Sequence, residues 1–323
     1  MKTGARVGRR AALRRALRWA LNAAALATPM HLAAQATPQT HALLVAVGRV
    51  AELPPRLWLR GPDNDLQLMR QALLERGVPA THITSLGAAP GATAAATGAA
   101  IGQAMQTLLL RAQPGDQVVL HLAGHGVQVP PRPGAPAEPD GLDEVFLTID
   151  TQRWDAQRGL LPQALYDHDI GAWMDALAAR QVRVLAVLDT CHAAGMHRGT
   201  TATSAYTRQR GIAAEELGVP ARQTTGAGAA PPAASATRAP PSAPGRTLAL
   251  AARAHESTPE SWLPKGAPQA RLHGVFTYAV VQALREGARD AAALRDSIAR
   301  QYASAGRASP VPMVLGAGSN ALP

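Results

Sequence analysis

Apolar runs of strand length alternate along the chain with stretches whose apolar positions recur every three or four residues, which predicts an α/β fold on a mainly parallel sheet. ALLVAV (42–47) predicts a first strand. Asp63 and Asn64 then offer caps for a helix that aligns Leu66, Met69 and Leu73 and stops at Gly77. HITSL (82–86) predicts a second strand, followed by an alanine-rich helix to about Arg111, and DQVVLHLA (116–123) a third, entered through Pro114-Gly115. DEVFLTID (143–150) predicts an accessory strand. Trp173, Met174, Leu177 and Ala178 fall at helical spacing, the mark of core positions. VRVLAVL (182–188) is continuously apolar and suits a central strand covered on both faces. RTLALAA (246–252) predicts another strand, Phe276, Ala279, Val280, Ala283 and Leu284 one face of a helix, and VPMVLG a last strand after a further helix from near Asp290.

Two stretches break the pattern. Residues 1–36 carry Lys2, Arg6, Arg9, Arg10, Arg14, Arg15 and Arg18 with no acid, then an alanine- and leucine-rich run and Ala34-Gln35-Ala36. That order predicts an export signal, and so a secreted or periplasmic protein; a retained basic amphipathic helix is the alternative. Taking those seven charges from the formal +10 leaves +3, so the basicity is no argument for a nucleic-acid partner. No other stretch has the length of a membrane-spanning helix. From 197 to 246 the composition turns to Thr, Ala, Gly, Pro and Ser with scattered arginines, which predicts a flexible linker with solvated charges.

Cys191 is the one cysteine, which excludes an internal disulfide framework and a cysteine-based zinc cluster. It follows the apolar run 182–188 in LDTCHA, as His125 follows the third strand in LAGHG. In a doubly wound sheet ligands bind beyond the carboxyl ends of the strands, and neighbouring strands lie about 4.8 Å apart. A thiol and an imidazole leaving adjacent strand ends are the pairing a cysteine nucleophile needs. Glycines beside His125 permit a sharp turn, and N–H groups at the turn holding Cys191 lower a thiol pKa and hold an oxyanion. His121 and His125, four apart on a strand, are roughly 13 Å apart and too far for one metal ion.

With LRGPDNDLQLM, LAGHG, DGLDEVFLTID, LDTCHA and GVFTYAVVQAL in this order, the chain resembles the caspase-like cysteine peptidases of the metacaspase branch over most of residues 41–316. The resemblance implies a caspase-like fold, with a six-stranded, mainly parallel sheet flanked by helices. It implies a large-subunit-like region over 41–196, the linker at 197–246 and a small-subunit-like region over 247–323 that completes the sheet. Cys191 then corresponds to the nucleophile and His125 to the group that protonates the leaving amine, with the N–H groups of Gly126 and Cys191 as the oxyanion hole. Asp65 and Asp189 match the acids of an S1 pocket that takes Arg or Lys from polypeptide substrates. Pro62 and Ala123 stand where the family commonly has cysteine and serine. Asp140 and Asp143 resemble part of a calcium-linked loop, but His168 replaces an acid there; the dyad itself requires no cofactor.

Each of these residues has a plainer reading. Cys191 can be buried filler, His125 a turn residue and Asp65 an acid that complements a helix dipole. His192 neighbours the thiol and is expected to point away. The arginines between 198 and 246 read as solvated charge, or as self-cleavage sites in an exposed linker. A cysteine endopeptidase is the activity expected. The alternatives are a silent caspase-like scaffold that binds partners, and an acyl hydrolase or transferase using the same dyad.

Overall fold

The structure is a computed structural model that describes residues 37–136, 141–191, 208–220, 245–253, 256–317 and 320–323. The expected leader, Asp140 and His192 therefore lie outside the described residues. In chain order the elements are β1 (Thr40–Ala46), α1 (Pro62–Glu75), β2 (Ile83–Leu86), α2 (Gly98–Arg111), β3 (Gln117–Ala123), β4 (Gly126–Val129), β5 (Asp143–Phe146), β6 (Leu165–Tyr166), α3 (Asp167–Ala179) and β7 (Arg183–Asp189). They continue with β8 (Arg246–Leu250), β9 (Glu260–Leu263), β10 (Arg271–Gly274), α4 (Val275–Arg285), α5 (Ala291–Ser304) and β11 (Met313–Leu315).

Six strands form one sheet in the order β11-β8-β7-β3-β1-β2. Five are mutually parallel and β11 runs antiparallel on β8. All seven residues of β3 are buried, because both faces of the sheet are covered. On one face lie Ile101, Met105 and Leu108 of α2 with Trp173, Met174 and Leu177 of α3. On the other lie Leu66, Met69 and Leu73 of α1, Phe276 and Val280 of α4, and Leu294 and Ile298 of α5. The strands β8 and β11, from the region after residue 246, complete the sheet that the earlier strands begin.

The accessory strand β5 is outside the central sheet, between β4 and β6, and stops at Phe146, short of the predicted 150. The start of α1 also differs from its expectation. Gly61 is the N-cap and Pro62 occupies the first turn, with no side-chain cap. Asp63 instead accepts from Ala88 N–H at 3.0 Å, and Asn64 donates to Leu272 O at 2.8 Å. Among the described residues no helix is long and apolar enough to cross a membrane.

Candidate active site

Parallel strands bring their carboxyl ends to one rim. Register pairs Ala123 at the end of β3 with Asp189 at the end of β7, so Gly124-His125-Gly126 and Thr190-Cys191 leave adjacent strands side by side. The approach is close enough to require glycine. A Cβ on Gly126 would overlap the Cys191 carbonyl oxygen and stand 2.6 Å from Thr190 Oγ1.

His125 is buried, with Nε2 2.5 Å from Leu57 O and Nδ1 3.2 Å from Arg210 O. Burial holds the imidazole below its ordinary pKa, against the two carbonyls, which favour its protonated form. Cys191 is buried as well, and its sulfur accepts a hydrogen bond from Thr258 N–H. Burial pushes the thiol up to about 12, with the Thr258 N–H opposing. This reverses the lowered thiol pKa expected from the sequence. The N–H group at the sulfur is present, but the loss of water outweighs it.

A piece of the expected linker packs against His125. Residues 208–220 pack against the body, with Arg210, Ile212, Leu217 and Val219 buried. The linker expectation is corrected here, since this stretch carries apolar side chains to bury and backbone partners to meet. Arg210 N–H donates to Thr258 O at 3.0 Å, and Glu260 N–H donates to Arg208 O at 2.8 Å, in an antiparallel arrangement bridging Gln209 to Pro259. On the other side Gly126 N–H donates to Arg210 O at 3.1 Å and Ile212 N–H to Gly126 O at 3.4 Å. An extended segment added to strand edges in this way is a peptide-binding mode.

The Arg210 side chain, expected to be solvated, is fully buried among three carboxylates. Its Nη2 donates to Asp65 Oδ2 and lies 3.4 Å from Glu260 Oε1, while Nη1 reaches Asp189 Oδ2 at 3.1 Å and Asp189 O at 3.0 Å. Burial disfavours the guanidinium charge, but Asp189, Asp65 and Glu260 outweigh that and raise its pKa. The carboxylates are held by other donors. Asp65 accepts from Gly274 N–H at 3.0 Å and faces His273 Nδ1 at 3.0 Å. Asp189 accepts from Thr277 N–H at 2.9 Å and its hydroxyl at 2.7 Å, and Glu260 from Gly61 N–H at 2.8 Å and Arg60 N–H at 3.1 Å. Burial still lifts the Asp65 carboxyl above its ordinary range, with Arg210 the largest opposing influence.

Four residues expected from the sequence thus meet one arginine: His125 and Gly126 meet its carbonyl, and Asp65 and Asp189 hold its side chain, while Cys191 lies beside Gly126 with its sulfur on Thr258 N–H. Of the two N–H groups expected at the carbonyl oxygen, Gly126 is the one that reaches it. Asp65 stands in the first turn of α1, so the helix-dipole reading describes its position, but its oxygens serve Arg210, His273 and Gly274. Glu260, Thr258 and the carbonyls of Arg56, Leu57 and Trp58 were missed. Glu260 lies in no quoted motif and backbone carbonyls leave no mark in a sequence. Arg210 had a signal, because Ile212, Leu217 and Val219 follow it before the Gly/Ala/Pro tract begins.

His121 is a core residue of β3 whose Nε2 meets Thr277 Oγ1 at 3.1 Å, with burial bringing its pKa to about 3. The described members of the calcium-linked loop do not fit a calcium ion. Asp143 accepts from Arg132 N–H at 3.0 Å and faces His168 Nε2 at 3.4 Å, with Arg132 Nε 3.9 Å away. A guanidinium and an imidazole stand where a hard dication needs oxygens. Among the described residues no group of three or more His, Cys, Asp or Glu is placed to hold a metal.

A family model, metacaspase, peptidase C14 domain, matches residues 40–198. Metacaspase-1 of Lodderomyces elongisporus is 33% identical over 138 residues, 42% of this chain and 29% of that protein. Metacaspase-1 of Candida albicans is 30% identical over 138 residues with the same coverage. Metacaspase-1 of Saccharomyces cerevisiae is 36% identical over 90 residues, 28% of this chain and 18% of that one. The matched stretch is thus less than a third of the length of these relatives. A crystal structure of a Geobacter sulfurreducens protein superposes with a TM-score of 0.53 at 20% identity, covering 86% of this chain and 94% of that one, a likeness of fold. Over residues 40–198 the chain therefore carries a stretch that matches the caspase-like metacaspase family.

Proposed function

We propose that the protein is a cysteine endopeptidase that cuts polypeptides after arginine or lysine, with Cys191 as nucleophile and His125 as general acid and base. One observation carries the reading: the carbonyl of Arg210 rests on Gly126 N–H beside His125 while its guanidinium fills a pocket of three carboxylates. That is the pose of a residue preceding a scissile bond.

In this pose Cys191 attacks the carbonyl carbon and a thioester forms. Gly126 N–H stabilises the oxygen as it gains charge, an interaction whose loss costs about 10² to 10³ in rate. His125 takes the thiol proton and gives it to the departing amine, then draws a proton from the water that hydrolyses the thioester and returns it to the sulfur. A planar guanidinium engages Asp65 and Asp189 together, whereas a lysine ammonium offers a single centre, so arginine is preferred. An acidic residue in the pocket meets three carboxylates and is rejected.

Peptides with Arg, Lys or Asp before a fluorogenic leaving group test this. The expected order is Arg above Lys with Asp inert, and Cys191→Ala abolishes all turnover. Equal activity of Cys191→Ala overturns the assignment; preference for Asp overturns the pocket.

A further inference from the structure

Both ring nitrogens of His125 face backbone carbonyls, while the hydrogen bonds described at the Cys191 sulfur come from the loop between β8 and β9. Thr258 N–H donates to the sulfur, and Thr258 O lies 3.9 Å from it. The loop is tied on either side. Glu256 accepts from Val311 N–H at 2.9 Å and from Ser309 Oγ at 3.2 Å, and Val275 N–H donates to Pro259 O at 3.2 Å. Between these ties stands Ser257. Its hydroxyl oxygen is buried and finds no other partner among the described residues, and it stands at the sulfur, where it favours the thiolate over the thiol. An unpaired buried hydroxyl is costly in any state of the molecule that does not use it. A neutral thiol is a weak acceptor, whereas a thiolate puts a full negative charge on the same atom. The Ser257 hydroxyl therefore gains a strong hydrogen bond only when the sulfur ionises, the kind of differential interaction that accelerates a reaction.

We propose that Ser257 is a further residue of the site, whose hydroxyl joins Thr258 N–H in holding the charge of the Cys191 sulfur once the thiol ionises. The proposal deepens the peptidase reading above and rests on it for the part Ser257 plays in turnover. On ionisation the S–H bond breaks and its electron pair stays on the sulfur. The proton passes to His125 in turnover, or to solvent base when the thiol meets an alkylating agent. Ser257 keeps its own proton throughout, so no bond to its oxygen forms or breaks. Donors from two successive residues of a loop anchored at Glu256 need no rearrangement as the charge appears. Loss of water, which pushes the thiol up to about 12, also makes each remaining donor stronger than it is in solution. Other groups act on the sulfur from the surrounding elements. Asp189 of β7 opposes its ionisation and Arg210 of the docked segment favours it, while Tyr302 of α5 is kept neutral by its own burial.

Alkylation of the full-length protein by iodoacetamide, followed by intact mass across a pH series, reads the thiol directly, since Cys191 is the one cysteine of the chain. Removing a hydrogen bond to a charged group in Ser257→Ala is expected to raise the thiol pKa by about one to two units. A more basic thiolate is also more nucleophilic, so the net expectation is alkylation slowed roughly three- to tenfold at neutral pH. Ser257→Thr keeps the hydroxyl and is expected to match the parent. In peptide hydrolysis the acid limb of the kcat/KM profile is expected to move up in Ser257→Ala and to stay in place in Ser257→Thr. Alkylation equally fast in the parent and Ser257→Ala overturns the proposal, as does equal slowing in both variants. If P1-Arg peptides are hydrolysed through Cys191 with a pH profile that Ser257→Ala leaves unmoved, the role of Ser257 falls and the peptidase reading stands. If alkylation slows as expected while no peptide is cut, the peptidase reading falls and the hold of Ser257 on the thiolate stands.

Discussion

Replacing Arg210 by methionine removes one charge and keeps the length of the side chain. The variant is left with Asp65, Asp189 and Glu260 all fully buried around an apolar group. Two responses compete. Leaving buried carboxylates without their partner costs about 3 to 5 kcal/mol. Releasing the segment to let water in exposes Ile212, Leu217 and Val219, which are at most 4% exposed, at roughly 1.5 to 3 kcal/mol each. Full release is the dearer course, so the segment stays and the deficit is about 3 to 5 kcal/mol near pH 8. At about 2 to 4 °C per kcal/mol for a domain of this size, the midpoint of thermal unfolding falls by roughly 6 to 20 °C.

The sign of the pH dependence follows from Asp65. Its folded pKa lies above the unfolded value, and without Arg210 it moves higher still. The folded state then keeps a proton that the unfolded state has released, so stability falls as pH rises from about 4, the unfolded value, up to the folded one. The deficit of the methionine variant is therefore largest at pH 8 and smaller at pH 5. Arg210→Lys, which restores a charge, is expected to recover part of it at both. Scanning the two variants and their parent at the two pH values is the assay. A deficit under about 1 kcal/mol, or one equal at pH 5 and pH 8, refutes the account of this pocket as a charge-balanced cluster.

Asp189→Asn keeps the shape of the pocket and removes the carboxylate charge facing Nη1, so kcat/KM for P1-Arg peptides is expected to fall by about 10² to 10³, as for truncating one partner of a buried charge pair. An unchanged P1-Arg rate would remove Asp189 from substrate recognition. Gly274→Ala places a methyl against Asp189 Oδ2 and 2.7 Å from the Arg210 Cζ position, so P1-Arg hydrolysis is expected to be lost while the variant remains folded by circular dichroism. Retained hydrolysis would mean that the guanidinium does not enter here. A calcium chelator is expected to leave the rate within about twofold, since Asp143 is already engaged by Arg132 and faced by His168. Activity restored only by added calcium would overturn that.

The parallel sheet was legible because a strand buried on both faces must be continuously apolar, as 182–188 is, and because the helices between strands keep a 3.6-residue stripe. The positions of His125 and Cys191 were legible for a related reason. Once strand ends are located, topology alone puts the residues after them on one rim. Neither argument reaches Glu260, which enters the pocket from a strand outside the central sheet, or the Arg56 and Trp58 carbonyls, which carry no side-chain signature.

Composition failed at residues 208–220 for a physical reason. A window spanning 197–246 averages this stretch with the Gly, Ala and Pro tract after it, and the average cannot support a core. What orders the stretch is not its own composition. Its backbone completes two strand edges, and its arginine meets carboxylates contributed by α1, β7 and β9, elements scattered from residue 62 to residue 263. The same dependence explains the pKa values. Burial holds the Cys191 thiol high and the His125 imidazole low, each a consequence of packing that no single stretch of sequence displays. On the proposed peptidase reading, a thiol that regains water is also the more readily ionised nucleophile, so access of solvent and reactivity would rise together.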